Sequence, residues 1–359
     1  MKLATIVTEG GTAVARVDGD RAVVLRDFAD VGEVLAAGAL ESVAAASGSE
    51  VATDSLVYAP LVLAPSKIVC VGLNYRAHIL EMKRDLPEYP VLFAKFADTL
   101  AAAGETLVLP PESGEIDWEG ELAVVIGATV RRADETTARS AIAGYTIAND
   151  VSMRDWQFRT REWLQGKLWD RSTPLGPVLA TPEEIPADAQ LTTELDGEVM
   201  QRGDIHDLVH DPVSLVQYIS TITTLRPGDI VLTGTPGGVG HARTPQRYLA
   251  PGNSVTITVD GIEHVAGRPV VLVDDVIASG VTLATAARLL AEAGATSIEV
   301  VATHCLASSR DLAALQDAGI ARVRASDSVP GPVADIPLAG VLAEAIDASR
   351  WIAEGMTRP

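Results

Sequence analysis

Apolar and polar residues alternate along Leu3–Thr8 and Thr12–Val17, on either side of a Gly-Gly pair, which predicts two strands joined by a tight turn. A helix is expected around Val31–Ala46. The stretch Tyr58–Ser66, YAPLVLAPS, has two prolines among apolar residues and predicts an extended linker. Residues 1–60 therefore read as a small N-terminal α/β domain. From Lys67 to about Glu263 the pattern shifts to short β-rich runs such as KIVCVGLN, ELAVVIGATV, AGYTIANDVS, GDIVLTGTP and SVTITVDG, punctuated by Gly, Pro and Asp. Near Ala266 it shifts again. The apolar strand PVVLVDDV, the amphipathic segment SGVTLATAARLLAEAGA, the strand SIEVVATHC, the helix RDLAALQDAG and the strand ARVRASDSV alternate as in a parallel α/β unit. The fold class expected is mixed α/β: an N-terminal lead-in (1–60), a β-rich domain (67–263) and a partial parallel α/β segment (266–350).

Composition narrows the function classes. The 359 residues carry 28 Lys+Arg against 48 Asp+Glu, a net charge of −20. So acidic a surface repels phosphate backbones and anionic bilayers, so neither a nucleic acid nor a membrane is expected as partner. The two cysteines, Cys70 and Cys305, form no CxxC pair, which excludes a cysteine zinc site and a disulfide framework. No apolar run approaches the roughly 18 residues of a membrane span, and the N-terminus lacks the apolar core of a signal peptide, so the expected location is the cytoplasm.

Candidate chemistry gathers in four places. In GEIDWEGELAVVIG (Gly114–Gly127), Glu119 and Glu121 sit two apart at the start of a strand and share a face beside apolar Leu122, Val124 and Ile126. Paired carboxylates entering a core call for a positive charge between them, and a hard divalent cation such as Mg²⁺ suits oxygen ligands, with Asp150 in NDVSMRDWQ as a third. The same pair also suits two solvent-facing acids on an edge strand. In NYRAHILEM, His78 and Glu81 stand three apart and share a helical face, as a water-activating pair or as an ordinary surface pair. Lys167, in an aromatic and apolar stretch, could neutralise a carboxylate or a developing oxyanion, or could snorkel at the surface. The glycine-rich LTGTPGGVG could bind an anion through its N–H groups or be a plain turn.

The order and spacing of NYxxH…E, the ExE strand, NDVSxRDxQ, GK ahead of PLGP, and LTGTPxGVG resemble the fumarylacetoacetate hydrolase family over roughly Lys67 to Glu263. The resemblance implies that family's β-rich roll, a homodimer, and Mg²⁺ (or Mn²⁺) held by Glu119, Glu121 and Asp150. It also implies a water-activating His78–Glu81 dyad, Gln157 and Lys167 at the substrate and its oxyanion, and Lys95 and Thr235 as substrate-binding positions. Two departures, Phe96 after Lys95 and GKLWD in place of GKSFD, are expected to add bulk near the pocket. The implied activity is metal-dependent hydrolysis of a C–C bond in an acylpyruvate-type 2,4-dioxo acid, with isomerisation or decarboxylation of a 2-hydroxydiene-dioate as the alternative on the same site.

The C-terminal VVLVDDVIASGVTL (Val270–Leu283) resembles the phosphoribosyl-pyrophosphate loop of type I phosphoribosyltransferases and ribose-phosphate pyrophosphokinases. That implies Asp274 and Asp275 aimed at ribose hydroxyls and Ser279, Gly280 and Thr282 around a phosphate. The front half of that fold is missing, so the segment reads as a regulatory phosphoribosyl or nucleotide binder or as a structural appendage.

Overall fold

The computed structural model describes residues 1–81, 85–262, 269–292 and 297–337, except for some side chains within helices and strands. They fall into two compact units, Met1–Glu263 and His264–Pro359.

The first unit is organised by a long mixed sheet. Its strands run, edge to edge, Ser49–Ala52, Arg21–Leu25, Gly11–Asp18, Lys2–Thr8, Thr173–Ala180, Ile142–Asn149, Gly120–Ile126, Ile230–Leu232, Ile68–Gly72 and Val91–Lys95. Residues 1–60, set apart on the sequence pattern, join this sheet instead: Lys2, Leu3 and Ala4 pair antiparallel with Ala180, Leu179 and Val178. The cause is that Lys2–Thr8 buries both faces. Leu3 packs with Leu175 and Leu179, and Ala4 packs on the opposite face with Val178 and Ala180. A strand apolar on both sides needs a cover on each. The helix expected over 31–46 divides into Val31–Ala36 and Leu40–Ala45, with Gly38 between them at φ +63°.

Gly120–Ile126 lies in the interior of the sheet, antiparallel to both Ile142–Asn149 and Ile230–Leu232, and is buried along its whole length. Its continuous apolar run follows from that position. A smaller sheet, Gln190–Leu195 between Glu198–Asp204 and Val255–Val259, supplies Leu191 and Val259 to the core that holds Leu122 and Ile147.

In the second unit the strands Pro269–Ile277, Ser297–Cys305, Ile320–Ser326 and Ala334–Ile336 are parallel in sequence order, with helices Val281–Glu292 and Ser309–Asp317 between them. This is the alternation read from the pattern. Ile277, Leu283, Ala287, Val300 and Leu315 form its core. The segment expected over 266–350 extends at its end into residues outside those described. No described helix is long and apolar enough to cross a membrane.

Candidate active site

Glu119 immediately precedes the interior strand and Glu121 is its second residue. Strand alternation therefore turns Asp117, Glu119 and Glu121 to one face. Asp150 follows the neighbouring strand, whose Asn149 and Ala148 lie opposite Gly120 and Glu121. Two bonds lock the junction: the Asp150 N–H donates to the Glu119 carbonyl at 2.9 Å, and Asn149 Oδ1 accepts from the Glu119 N–H at 3.0 Å. Glu119, Glu121 and Asp150 thereby each place a carboxylate oxygen within 4.8 Å of the others, and all three are buried. The reading of Glu119 and Glu121 as solvent-facing acids on an edge strand fails, because the strand is interior.

Buried carboxylates at this spacing require positive partners. Lys167 Nζ donates to Glu119 Oε2 and Asp150 Oδ2, both at 2.7 Å, and Lys95 Nζ donates to Asp150 Oδ1. Arg154 pairs with Glu119 Oε1 at 2.7 Å and with Asp117 Oδ2 at 2.8 Å. Burial alone would push the Asp150 carboxyl up, but Lys167 and Lys95 outweigh it and hold the group below the ordinary aspartate range. Burial likewise disfavours the Lys167 ammonium, yet Asp150 and Glu119 outweigh it and raise its pKa above the ordinary lysine range.

Glu121 is the exception. Its Oε2 accepts from the Gly234 N–H at 2.8 Å, but no described cation pairs with it. Four acids, Asp117, Glu119, Glu121 and Asp150, thus face three cations, Arg154, Lys167 and Lys95, and the shortfall lands on Glu121. Burial first, then the Asp150 and Glu119 charges, push its carboxyl well above the usual glutamate range. An all-oxygen donor set with one positive charge too few fits a hard divalent cation.

The cluster opens on a cavity of about 330 Å³, whose wall includes Glu119, Glu121, Gln157, Lys167 and Thr235 together with Phe93 and Trp163. Gln157 Oε1 accepts from Arg154 at 2.8 Å. Thr235 Oγ1 donates to the Gly120 carbonyl and accepts from Gln201 Nε2, each at 2.8 Å. The turn bearing Thr235 approaches closely only because residue 234 is glycine: φ is +97°, and a Cβ there would sit 2.9 Å from the Val71 carbonyl oxygen. Phe93 lies with its centroid 5.1 Å from Lys167 Nζ and meets Trp163 edge-on.

Lys95, 2% exposed, supports Asp150 and is not part of the described cavity wall. The bulk expected from Phe96 and GKLWD falls elsewhere. Phe96 is exposed, and Trp169 packs edge-on against Trp156 at 5.2 Å, lining a separate hollow with Leu107 and Met153. His78 and Glu81 belong to the helix Arg76–Glu81, but their side chains lie outside the described residues.

Arg154 and Asp117 were not singled out on the sequence. The signal was present in both cases: Asp117 continues the alternation of Glu119 and Glu121, and Arg154 precedes Gln157 by three in RDWQ, the spacing of one helical turn. Asp117 is held in turn by the N–H groups of Gly240 and His241 at 2.6 and 3.0 Å. Gln201, which accepts from the Gly120 N–H at 3.0 Å, carries no signal in its local sequence.

The C-terminal candidates stand differently. Asp274 is half-buried and Asp275 exposed at the end of Pro269–Ile277. Ser279 and Thr282 are exposed at the start of Val281–Glu292. Gly280 is buried at φ +70°, and a Cβ there would meet Leu315 at 2.8 Å. That glycine is required by packing whether or not the loop binds anything.

The family model for the fumarylacetoacetate (FAA) hydrolase C-terminal domain matches residues 67–269. The chain belongs to the fumarylacetoacetate hydrolase family. A human mitochondrial oxaloacetate tautomerase is 40% identical over 210 residues, 57% of this chain and 67% of that protein. The 5-carboxymethyl-2-hydroxymuconate delta-isomerase of Mycobacterium smegmatis is 33% identical, with a TM-score of 0.61 over 73% of this chain and 96% of that one. The fumarylpyruvate hydrolase of Pseudomonas aeruginosa, solved with Mn²⁺ and pyruvate, is 36% identical, with a TM-score of 0.50 over 57% of this chain and 93% of that one. A second model, for the phosphoribosyl synthetase-associated domain, matches residues 246–359 weakly. Within the family, then, relatives are named for tautomerisation, isomerisation and hydrolysis alike.

Proposed function

We propose that this chain is a divalent-metal-dependent enzyme that forms and protonates the enolate of a 2-oxo acid. Keto–enol tautomerisation of an oxaloacetate-type substrate is the leading reaction. The buried, charge-deficient cluster of Glu119, Glu121 and Asp150 carries this reading. Those three residues would hold Mg²⁺ or Mn²⁺, and such an ion supplies Lewis-acid polarisation of the carbonyl of a chelating 2-oxo acid.

The chain's own groups divide the remaining work. Lys167 stays charged and lies on the cavity wall, where it offsets negative charge growing on the substrate oxygen. Gln157 has its Oε1 committed to Arg154, which leaves the Nε2 amide to donate to a substrate carboxylate. Arg154 has its charge consumed by Asp117 and Glu119, so it orients Glu119 rather than binding substrate. His78 and Glu81, one helical turn apart, carry the proton to and from the carbon next to the carbonyl.

Hydrolysis of an acylpyruvate is the second reading. It is favoured by the likeness to a fumarylpyruvate hydrolase and by the same His78–Glu81 spacing, which suits a pair that draws a proton from water. One assay separates the two: oxaloacetate, acetylpyruvate and fumarylpyruvate are supplied with and without Mg²⁺ or Mn²⁺ while enol absorbance and pyruvate are followed. Metal-dependent loss of enol without pyruvate release is the expected result for tautomerisation, and pyruvate release from the two acylpyruvates for hydrolysis. No metal-dependent change with any of the three overturns both.

A further inference from the structure

The Arg76–Glu81 helix is six residues long, too short to hold itself, and its first N–H groups have no partner within it. It starts directly at the cavity, since Gly72, Leu73 and Asn74 are all part of the wall. The turn into it is strained: Leu73 has φ +54°, a left-handed conformation that a leucine adopts only when its surroundings demand it.

The turn and the start of the helix are held from outside, chiefly by one distant loop. The Arg76 N–H donates to the Asp207 carbonyl and the Ala77 N–H to Asp207 Oδ2, both at 2.9 Å, across 130 residues in the latter case. Asn74 completes the clamp. Its Oδ1 accepts from the His210 N–H at 2.9 Å, its Nδ2 donates to the carbonyls of His210 and Thr233 at 3.0 and 2.8 Å, and its carbonyl accepts from the Val209 N–H at 2.8 Å. The loop is itself fixed to the small sheet, because the Asp207 N–H donates to the Asp204 carbonyl at 3.0 Å.

We propose that Asp207 is a positioning residue for turnover: it caps the Arg76–Glu81 helix from the opposite loop and thereby holds in place the backbone that carries His78 and Glu81. The inference rests on the reading of those two residues as the proton-transfer pair. Asp207 is the member of the clamp to alter, because it is absent from the described cavity wall and its carboxylate bonds the Ala77 N–H rather than the acid cluster, whereas Asn74 is on the wall. A carboxylate and a side-chain amide oxygen can accept the same N–H, so D207N keeps the bond to the Ala77 N–H that D207A removes, while the Arg76 N–H keeps the backbone carbonyl in both.

The test measures kcat, KM and the Mn²⁺ dissociation constant for D207A, D207N and E81Q with oxaloacetate and acetylpyruvate, together with amide hydrogen exchange over residues 76–81. D207A is expected to quicken exchange there and to lower kcat by about tenfold to a hundredfold, with KM and the Mn²⁺ dissociation constant unchanged. D207N should recover most of the loss. A change confined to thermal stability, unaltered exchange at 76–81, or a D207A kcat within about twofold of the parent overturns the proposal. If E81Q keeps full turnover while D207A loses it, the dyad reading falls and the positioning of some other group on that helix stands.

Discussion

Two groups of acids in this chain, each read from the sequence as a candidate binding site, differ in what the fold requires of them. Glu119, Glu121 and Asp150 are buried between strands and tied to Lys167, Lys95 and Arg154, so moving one charge changes the surroundings of the rest. Asp275 is exposed and Asp274 half-buried near the end of a strand, where water reaches them and no described cation pairs with either. The lesson is about leverage. A desolvated carboxylate must be explained by its neighbours, whereas an exposed one is compatible with binding and with no role at all.

The largest break in that contrast comes from Glu119→Ala, which removes one of the three proposed metal ligands and leaves Lys167 with Asp150 and Arg154 with Asp117 as their remaining carboxylate partners. Metal-dependent turnover of a 2-oxo acid should fall on the order of 10³-fold, measured at saturating Mn²⁺. Next is Arg154→Met. It leaves Asp117 and Glu119 buried without their shared cation, and breaking such a pair costs about 3–5 kcal/mol. The midpoint of thermal unfolding should drop by roughly 10 °C, and a drop of only a degree or two would contradict the network described above.

Glu121 sharpens the comparison through pH. Burial, Asp150 and Glu119 raise its carboxyl pKa, so the metal-free fold is favoured by its protonated form. That contribution is present at low pH and is lost as pH rises through the raised value. A cation at the cluster needs the ionised form, so Mn²⁺ affinity should weaken on acidification, starting above the pH at which an ordinary glutamate titrates. Titrations of Mn²⁺ binding across that range check the sign, and Glu121→Gln should flatten the dependence.

The smallest effects belong to the second unit. Ser308 and Asp311 form a reciprocal cap on the Ser309–Asp317 helix, and Ser308→Ala should cost about 1 kcal/mol there without altering Mn²⁺ binding. Asp275→Asn should change neither stability nor 2-oxo acid turnover. A marked loss of turnover would show that the two units are coupled in the reaction.

The acid triad was legible because its members lie in motifs where alternation and strand ends place side chains predictably. Lys167 was legible as an isolated cation among aromatics. The division between the two units was legible as a change of period. The N-terminal strands misled: Lys2–Thr8 has the pattern of an independent hairpin, and nothing in it names Thr173–Ala180 as a partner. The bulk attributed to Phe96 misled because the residue after a buried strand residue points to the other side of the backbone, and Trp169 turns away to pack against Trp156.

By itself the sequence determined the local terms: which runs are strands, which carboxylates share a face, where parallel α/β alternation begins, and which family the motifs resemble. Tertiary structure alone decided what those residues meet. It set Asp150 against Glu119 through strand register, left Glu121 short of a cation, pinned Arg154 between Asp117 and Glu119, and tied the Arg76–Glu81 helix to Asp207. The physical reason is range. Alternation and helical periodicity act over a few residues, while desolvation and charge pairing depend on groups that only folding brings within a few ångströms of one another.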